Sequence, residues 1–124
     1  MQQLDLITTN PDPCCAPAGA GMLDRESAER HAVVFKALAD PVRVQLLSHL
    51  AAACCSTVCA CHLPELVGIS QPTLSHHLKK LTEAGLIRKQ MRGRWANFTI
   101  DPDGFAAAAD LLSAFGVRTA VESA

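Results

Sequence analysis

Leu63-Pro64-Glu65-Leu66-Val67-Gly68-Ile69-Ser70 is the stretch that most constrains what this chain can become. Gly68 can take the left-handed conformation that closes a short helix over Leu63 to Val67, and Ser70 is placed to cap the helix that follows. That next helix spans Gln71 to Ala84, with Leu74, Leu78 and Leu81 at i, i+4 and i+7 facing a core and Gly85 ending it. Two helices separated by a short turn carrying a glycine make a helix-turn-helix.

Helices precede this unit and a hairpin follows it. From Asp24 onward Ala28, Ala32, Phe35 and Ala39 recur at helical spacing, with Arg25, Glu26, Glu29 and Arg30 opposite. A second helix opens with Asp40 as N-cap and Pro41 at N1, where a missing N–H costs nothing. Val42, Leu46, Leu47 and Leu50 form its buried stripe, and it should end near Cys54. Leu86 to Ile100 has β character, with a turn at Met91-Arg92-Gly93-Arg94 and alternating Ala96, Phe98 and Ile100. After Pro102 a last helix places Phe105, Ala108, Ala109, Leu112 and Phe115 on one face, whose alanines allow a second helix to approach closely. The expected fold is mainly α with a β-hairpin wing.

A chain of 124 residues with 49% hydrophobic content supports one domain with a real core. It has no apolar run long enough for a membrane span, so no membrane partner is expected. Met1-Gln2-Gln3-Leu4-Asp5 has no basic segment ahead of an apolar one, which makes the cytoplasm the default compartment. Pro11, Pro13, Pro17, Gly19 and Gly21 mark residues 1–22 as a flexible arm that carries Cys14 and Cys15. Residues 23–118 are the expected domain and 119–124 a tail.

The formal net charge is only −1, yet between Leu66 and Arg94 the cations Lys79, Lys80, Arg88, Lys89, Arg92 and Arg94 are opposed by Glu83 alone. With the leucines of the Gln71 helix turned inward, Pro72, His76 and Lys79 lie outermost. Ser75 and Lys80 flank them, and Gln71 and Thr73 stand at the N-terminal end. Glutamine pairs with adenine, serine, threonine and histidine bond base edges or phosphates, and lysine neutralises phosphate, which is what a helix in a major groove requires. Arg92 and Arg94 at the hairpin tip reach the adjacent backbone or minor groove. The predicted partner is double-stranded DNA, and the predicted contacts are Gln71, Thr73, Ser75, His76, Lys79, Lys80, Arg92 and Arg94.

Six cysteines come as Cys14-Cys15, Cys54-Cys55 and Cys59-Ala60-Cys61. In a reducing compartment, with a helical core that needs no staples, metal or redox chemistry accounts for them better than a disulfide framework. Three thiolates match the charge of As(III) or Sb(III), while Cd(II), Pb(II) and four-coordinate Zn(II) also accept sulfur. The residues leave two sets open: Cys14 and Cys15 with Cys55, or Cys59 and Cys61 with Cys54 or Cys55. Pro64 favours a helix that starts late, which leaves Cys59 and Cys61 in the extended segment before it. His31, His49 and His62 read as surface or packing residues. A thiol oxidoreductase would need a Cys-x-x-Cys in a βαβ frame, and no other nucleophile and base stand out, so no enzyme is expected. Redox sensing, with Cys14-Cys15 or Cys54-Cys55 oxidised, is the alternative on the same DNA face.

The runs Phe35-Lys36-Ala37-Leu38-Ala39-Asp40-Pro41-Val42-Arg43, Gly68-Ile69-Ser70-Gln71-Pro72-Thr73-Leu74-Ser75-His76-His77-Leu78-Lys79 and Ala84-Gly85-Leu86-Ile87 resemble the ArsR/SmtB family of metalloregulatory repressors, over about residues 24–116. The resemblance implies a homodimeric winged helix-turn-helix in which the first and last helices form the dimer contact and the fourth reads an operator half-site. It implies release when As(III) or Sb(III) binds a three-cysteine site, with Cd(II) or Pb(II) sensing as the alternative and no further protein partner. His77 falls at the family's Ser-x-His-Leu position, where packing or phosphate bonding is expected. Val58-Cys59-Ala60-Cys61-His62-Leu63 is similar to the Cys-Val-Cys box in which arsenic sensors carry ligands, but Pro64 occupies the position of its third cysteine. Other metalloid-specific members use a vicinal N-terminal pair plus a cysteine at the end of the second helix. Cys14, Cys15 and Cys55 match that arrangement, so the resemblance favours them as metal ligands, with Cys54, Cys59 and Cys61 as the alternative. The family's zinc site, built from Asp and His pairs on the last helix, is absent, because Asp103 to Gly116 contains no histidine.

Overall fold

Asp40 sets the first corner of the molecule. Its carboxylate accepts the backbone N–H groups of Val42 at 2.8 Å and Arg43 at 3.3 Å, capping one helix just after another has ended. The computed structural model describes residues 19, 21–53 and 56–117. The helix before the corner is α1, Arg25–Leu38, and the one after it is α2, Pro41–Ala52. A two-residue strand β1, Val58–Cys59, leads through a single 3-10 turn, Ala60–His62, into α3, Leu63–Val67. Gly68 then takes φ 71°, ψ 37°, a left-handed conformation that a side chain would strain, and the chain reverses into α4, Gln71–Glu83. Strands β2, Ile87–Arg92, and β3, Trp95–Ile100, form the hairpin, and α5, Pro102–Leu112, follows with a π-helical turn over Ser113–Val117.

The helix-turn-helix is therefore where the glycine and serine place it. Ser70 caps α4 by accepting the Thr73 N–H at 3.4 Å. Leu74, Leu78 and Leu81 are buried, and so are Leu46, Leu47 and Leu50 of α2. Leu63, Leu86 and Ile87 complete the largest buried group, with Phe98 against it. This core joins α2, α3 and α4 to one face of the sheet.

Three features differ from expectation. The sheet has a third strand: β1 pairs antiparallel with β3, giving the order β1-β3-β2, with Val58 opposite Phe98 and Cys59 opposite Asn97. The hairpin is tighter than a four-residue turn, because Arg92 pairs with Trp95 and only Gly93-Arg94 links the strands. On α1 the residues turned to the core are Val34, Ala37 and Leu38, while Ala28 and Ala39 are exposed. Apolar side chains crowd the second half of that helix, from Ala32 to Leu38, so spacing alone does not choose among them.

Helix α5 packs through Phe105 and the buried Ala108 and then leaves the core, with Leu112 49% and Phe115 66% exposed. Its start is held by Gly104, whose missing side chain lets the helix lie directly on the Gly85 carbonyl; a Cβ there would collide with Gly85 backbone atoms. No helix among the described residues is long and apolar enough to cross a membrane. The expected arm 1–22 falls outside the described residues except for Gly19, Gly21 and Met22, and the tail 119–124 lies wholly outside them.

Candidate nucleic-acid interface

Helix α4 presents two different sides to its surroundings. Gln71, Ser75 and Lys79, one helical turn apart, line a groove of about 510 Å³ shared with the wing, whose floor is Leu78, Ala60, Ala96 and Phe98. Gln71 Nε2 donates to Ser75 Oγ at 3.5 Å along this stripe. Lys80 points the other way and borders a second cleft with Lys36, Val33 and Arg43, between α4 and the α1–α2 corner. His76 is exposed between them. Thr73 is exposed but engaged, since its hydroxyl accepts from Ser70 Oγ at 3.0 Å as part of the cap.

The hairpin carries the remaining cations. Arg92 and Arg94 stand exposed at the tip beside Trp95. Arg88 is occupied instead: it bonds Asp101 at 3.2 Å, which raises the guanidinium pKa and holds the Asp101 carboxyl below its usual range. Among the described residues Lys79, Lys80, Lys89, Arg92 and Arg94 have no ion-pair partner. Glu83 borders both clefts, but these five cations outnumber it, and a surface with such an excess of cations and donors suits a phosphodiester backbone.

Lys89 was absent from the predicted contact set. It is paired with Phe98 across the hairpin and lines the same groove as Lys79 from the opposite wall. The signal was available in the two-residue alternation of β2: Ile87 and Met91 share the Lys89 side, whereas Arg88, Gln90 and Arg92 face away.

His77 resolves toward packing. It is 9% exposed and turned inward, where its Nδ1 accepts from Arg43 Nε at 3.0 Å. Asp40, beside this pair, has its carboxyl pKa lowered: desolvation pushes it up, but the Arg43 and Val42 N–H groups and the nearby charges outweigh that.

Cys14, Cys15, Cys54 and Cys55 lie outside the described residues, so the favoured ligand set is not placed. Of the alternative set, Cys59 and Cys61 are brought together, with Cα atoms 5.3 Å apart and the sulfurs paired as a disulfide. Cys59 sits on β1, as an extended segment before Pro64 requires, and its Sγ also accepts the Cys61 N–H at 3.2 Å. Ala60, between them, lines the groove that holds Gln71, Ser75 and Lys79. No group of three His, Cys, Asp or Glu side chains suited to a metal occurs among the described residues.

A short helix, a left-handed glycine turn, a capped helix with a polar outer side and a basic hairpin beside it define a winged helix-turn-helix DNA-binding protein. Residues 40–89 match the sequence profile described as bacterial regulatory protein, arsR family. The chain is similar to an uncharacterized HTH-type transcriptional regulator of Methanocaldococcus jannaschii, 36% identical over 78 residues that span 63% of this chain and 85% of that one. It is similar also to a putative arsenical resistance operon repressor of Halobacterium salinarum, 36% identical over 91 residues, 73% of this chain and 74% of the relative. Among solved structures it resembles the homodimeric winged helix-turn-helix DNA-binding domain of a possible ArsR-family regulator from Mycobacterium bovis, 28% identical with a TM-score of 0.58, covering 77% and 88% of the two chains. The chain belongs to the arsR family of bacterial regulatory proteins. It is a DNA-binding transcriptional regulator and not an enzyme.

Proposed function

We propose that this regulator is a metalloid-responsive repressor: a cytoplasmic homodimer that holds operator DNA through α4 and the wing and lets go when As(III) or Sb(III) is captured by three cysteine sulfurs. The observation that carries the reading is the shared groove. Ala60, between Cys59 and Cys61, lines the same cleft as Gln71, Ser75, Lys79 and Lys89. The segment that follows Cys55 in sequence therefore reaches, at Ala60, the groove that faces DNA, so a pull exerted on Cys55 by a captured ion would be felt where DNA is read. The name carried by the Halobacterium salinarum relative supports arsenic as the inducing element.

Thermodynamic linkage sets what the ion must do. It releases DNA only if it binds better to a dimer conformation in which the two α4 helices are misplaced. A coupling of about 1–3 kcal/mol is typical of such switches, and near-complete release needs on the order of 5 kcal/mol. Cys14, Cys15 and Cys55 are the proposed ligands, two sulfurs from the N-terminal arm closing on one near the end of α2. The closeness of Cys59 and Cys61 favours a second reading in which these two, once reduced to thiolates, hold the ion with Cys54.

Dimerisation is supported by apolar surface on the first and last helices. Met22, Val33, Leu112 and Phe115 are exposed, and Met22, Leu23 and Ala28 share one groove with Phe115. The start of α1 and the end of α5 therefore meet on one side, as a two-fold seam between copies needs.

The test is a release titration under strong reductant, using a fluorescent duplex selected from a random pool by the full-length chain. As(III) or Sb(III) should lower the anisotropy. Cys14→Ser, Cys15→Ser and Cys55→Ser should each keep DNA binding and abolish release, while Cys59→Ser and Cys61→Ser still respond. The opposite pattern moves the site to the Cys59-Ala60-Cys61 box. Release by Cd(II) or Pb(II) alone changes the inducer, and release by an oxidant alone makes the protein a redox sensor.

A further inference from the structure

We propose that Arg43 and His77 form a clasp that fixes the rotational setting of α4, and that this setting is what lets the helix discriminate one DNA sequence from another. The proposal rests on α4 being the DNA-reading helix. Arg43 lies in the first turn of α2, at the α1–α2 corner, and reaches three ways. Its backbone N–H goes to Asp40 Oδ1 at 3.3 Å, its Nη1 to the Ala37 carbonyl at 3.5 Å and its Nε to His77 Nδ1 at 3.0 Å. The side chain thereby ties the last turn of α1 to the middle of α4, while the backbone of the same residue is held by the cap of α2. Arg43 and His77 are 34 positions apart in sequence, so the contact exists only in the folded chain.

The core by itself does not supply this constraint. Leu74, Leu78 and Leu81 hold α4 down through apolar contact, which is strong but non-directional, and a leucine stripe tolerates a small roll about the helix axis. A hydrogen bond from a charged donor is directional and short-ranged. Side-chain tips lie about 5–6 Å from a helix axis, so a roll of about 20° moves them by about 2 Å. That shift exceeds the tolerance of a hydrogen bond to a base edge, while phosphate attraction would hardly register it. The clasp should therefore govern specificity far more than general affinity for DNA.

The chemistry fixes one ring nitrogen. A guanidinium offers donors and no acceptor, so His77 Nδ1 must be unprotonated and accept, with the ring hydrogen on Nε2. Asn places its Oδ1 close to where His places Nδ1 and can replace the acceptor. Leu fills the space and cannot accept. Lys in place of Arg43 keeps the charge and loses the Nε–H.

The experiment measures dissociation constants of the full-length wild type and of Arg43→Lys, His77→Leu and His77→Asn, for the pool-selected duplex and for a scrambled duplex of equal length. Thermal melts are recorded alongside, with two-bond nitrogen–proton NMR spectra of the histidine rings. Arg43→Lys and His77→Leu should lose at least tenfold of the selected-over-scrambled preference, with scrambled-duplex affinity and melting temperature held. His77→Asn should keep most of the preference. The spectra should show His77 protonated at Nε2 alone in the wild type, a pattern that Arg43→Lys relaxes. Unchanged preference in His77→Leu overturns the clasp, as does a parallel loss of both affinities together with the melt, which would mark a merely structural contact. A wild-type chain that selects no duplex overturns the DNA-reading assignment instead, and the ring spectra separate that failure from the failure of the clasp.

Discussion

Lys79 on α4 and Lys89 on β2 line one groove from opposite walls, with Phe98 and Leu78 forming its floor between them. The two lysines belong to different elements, the reading helix and the wing, and both are exposed and without an ion-pair partner among the described residues. A DNA strand passing from one groove of the duplex to the next would run between them. Each phosphate contact contributes about one unit to the slope of log affinity against log salt. Lys79→Ala and Lys89→Ala should therefore each weaken binding and flatten that slope by about one unit, read by anisotropy across a salt series. A slope unchanged in Lys89→Ala removes β2 from the interface.

The exposed end of α5 bears on assembly. Leu112→Glu places a carboxylate in the proposed seam, where Phe115 and Met22 are also uncovered. Analytical ultracentrifugation should show monomers for this variant and dimers for the wild type, with two half-sites about one helical turn of DNA apart no longer held together. A variant that keeps dimer mass refutes the seam.

The approach of α5 to the turn after α4 makes Gly104 intolerant. Gly104→Ala inserts a methyl against the Gly85 carbonyl, a backbone atom that cannot swing aside. Overpacking of this kind costs about 1–3 kcal/mol. Denaturant unfolding should show a lower midpoint for Gly104→Ala, whereas Ala107→Gly, at an exposed position on the same helix, loses only helix propensity, about 1 kcal/mol.

Acid should loosen the contact between the wing and the start of α5. Asp101 has its pKa lowered from 3.8, by the Arg88 hydrogen bond first and then by the Asp103 N–H that it caps. A depressed carboxylate contributes stability above its unfolded pKa and loses it as pH falls through the folded value. The loss therefore falls below about pH 4, and Asp40, also depressed, adds to it. Unfolding midpoints compared at neutral pH and at about pH 3 should differ less in Asp101→Asn than in the wild type. An equal difference would show that the Arg88 pair contributes nothing to acid sensitivity.

The parts of the fold that could be read in advance are those with local causes. Asp40, Gly68 and Ser70 announce their caps and turn through their own chemistry, and the leucines of α2 and α4 announce their faces through spacing. Strand β1 has two residues, too few for an alternation, and exists because Val58 and Cys59 find Phe98 and Asn97 nearly forty positions away. The buried face of α1 depends on which of its many apolar residues the core accepts. At the site, Gln71, Ser75 and Lys79 follow from helix geometry and the side taken by Lys89 from strand alternation, but that this side meets α4 depends on how the wing packs, and the Arg43 to His77 bond on the packing of two helices.

The chain holds one tryptophan and no tyrosine, and that tryptophan is Trp95, 55% exposed at the wing. Its indole is more than half exposed when the protein is folded, so its emission changes less on unfolding than that of a buried tryptophan, and fluorescence is a poor melting curve here. The same placement makes the intrinsic signal a local probe of the wing, undiluted by the core: any quenching on adding unlabelled DNA reports the hairpin tip and nothing else.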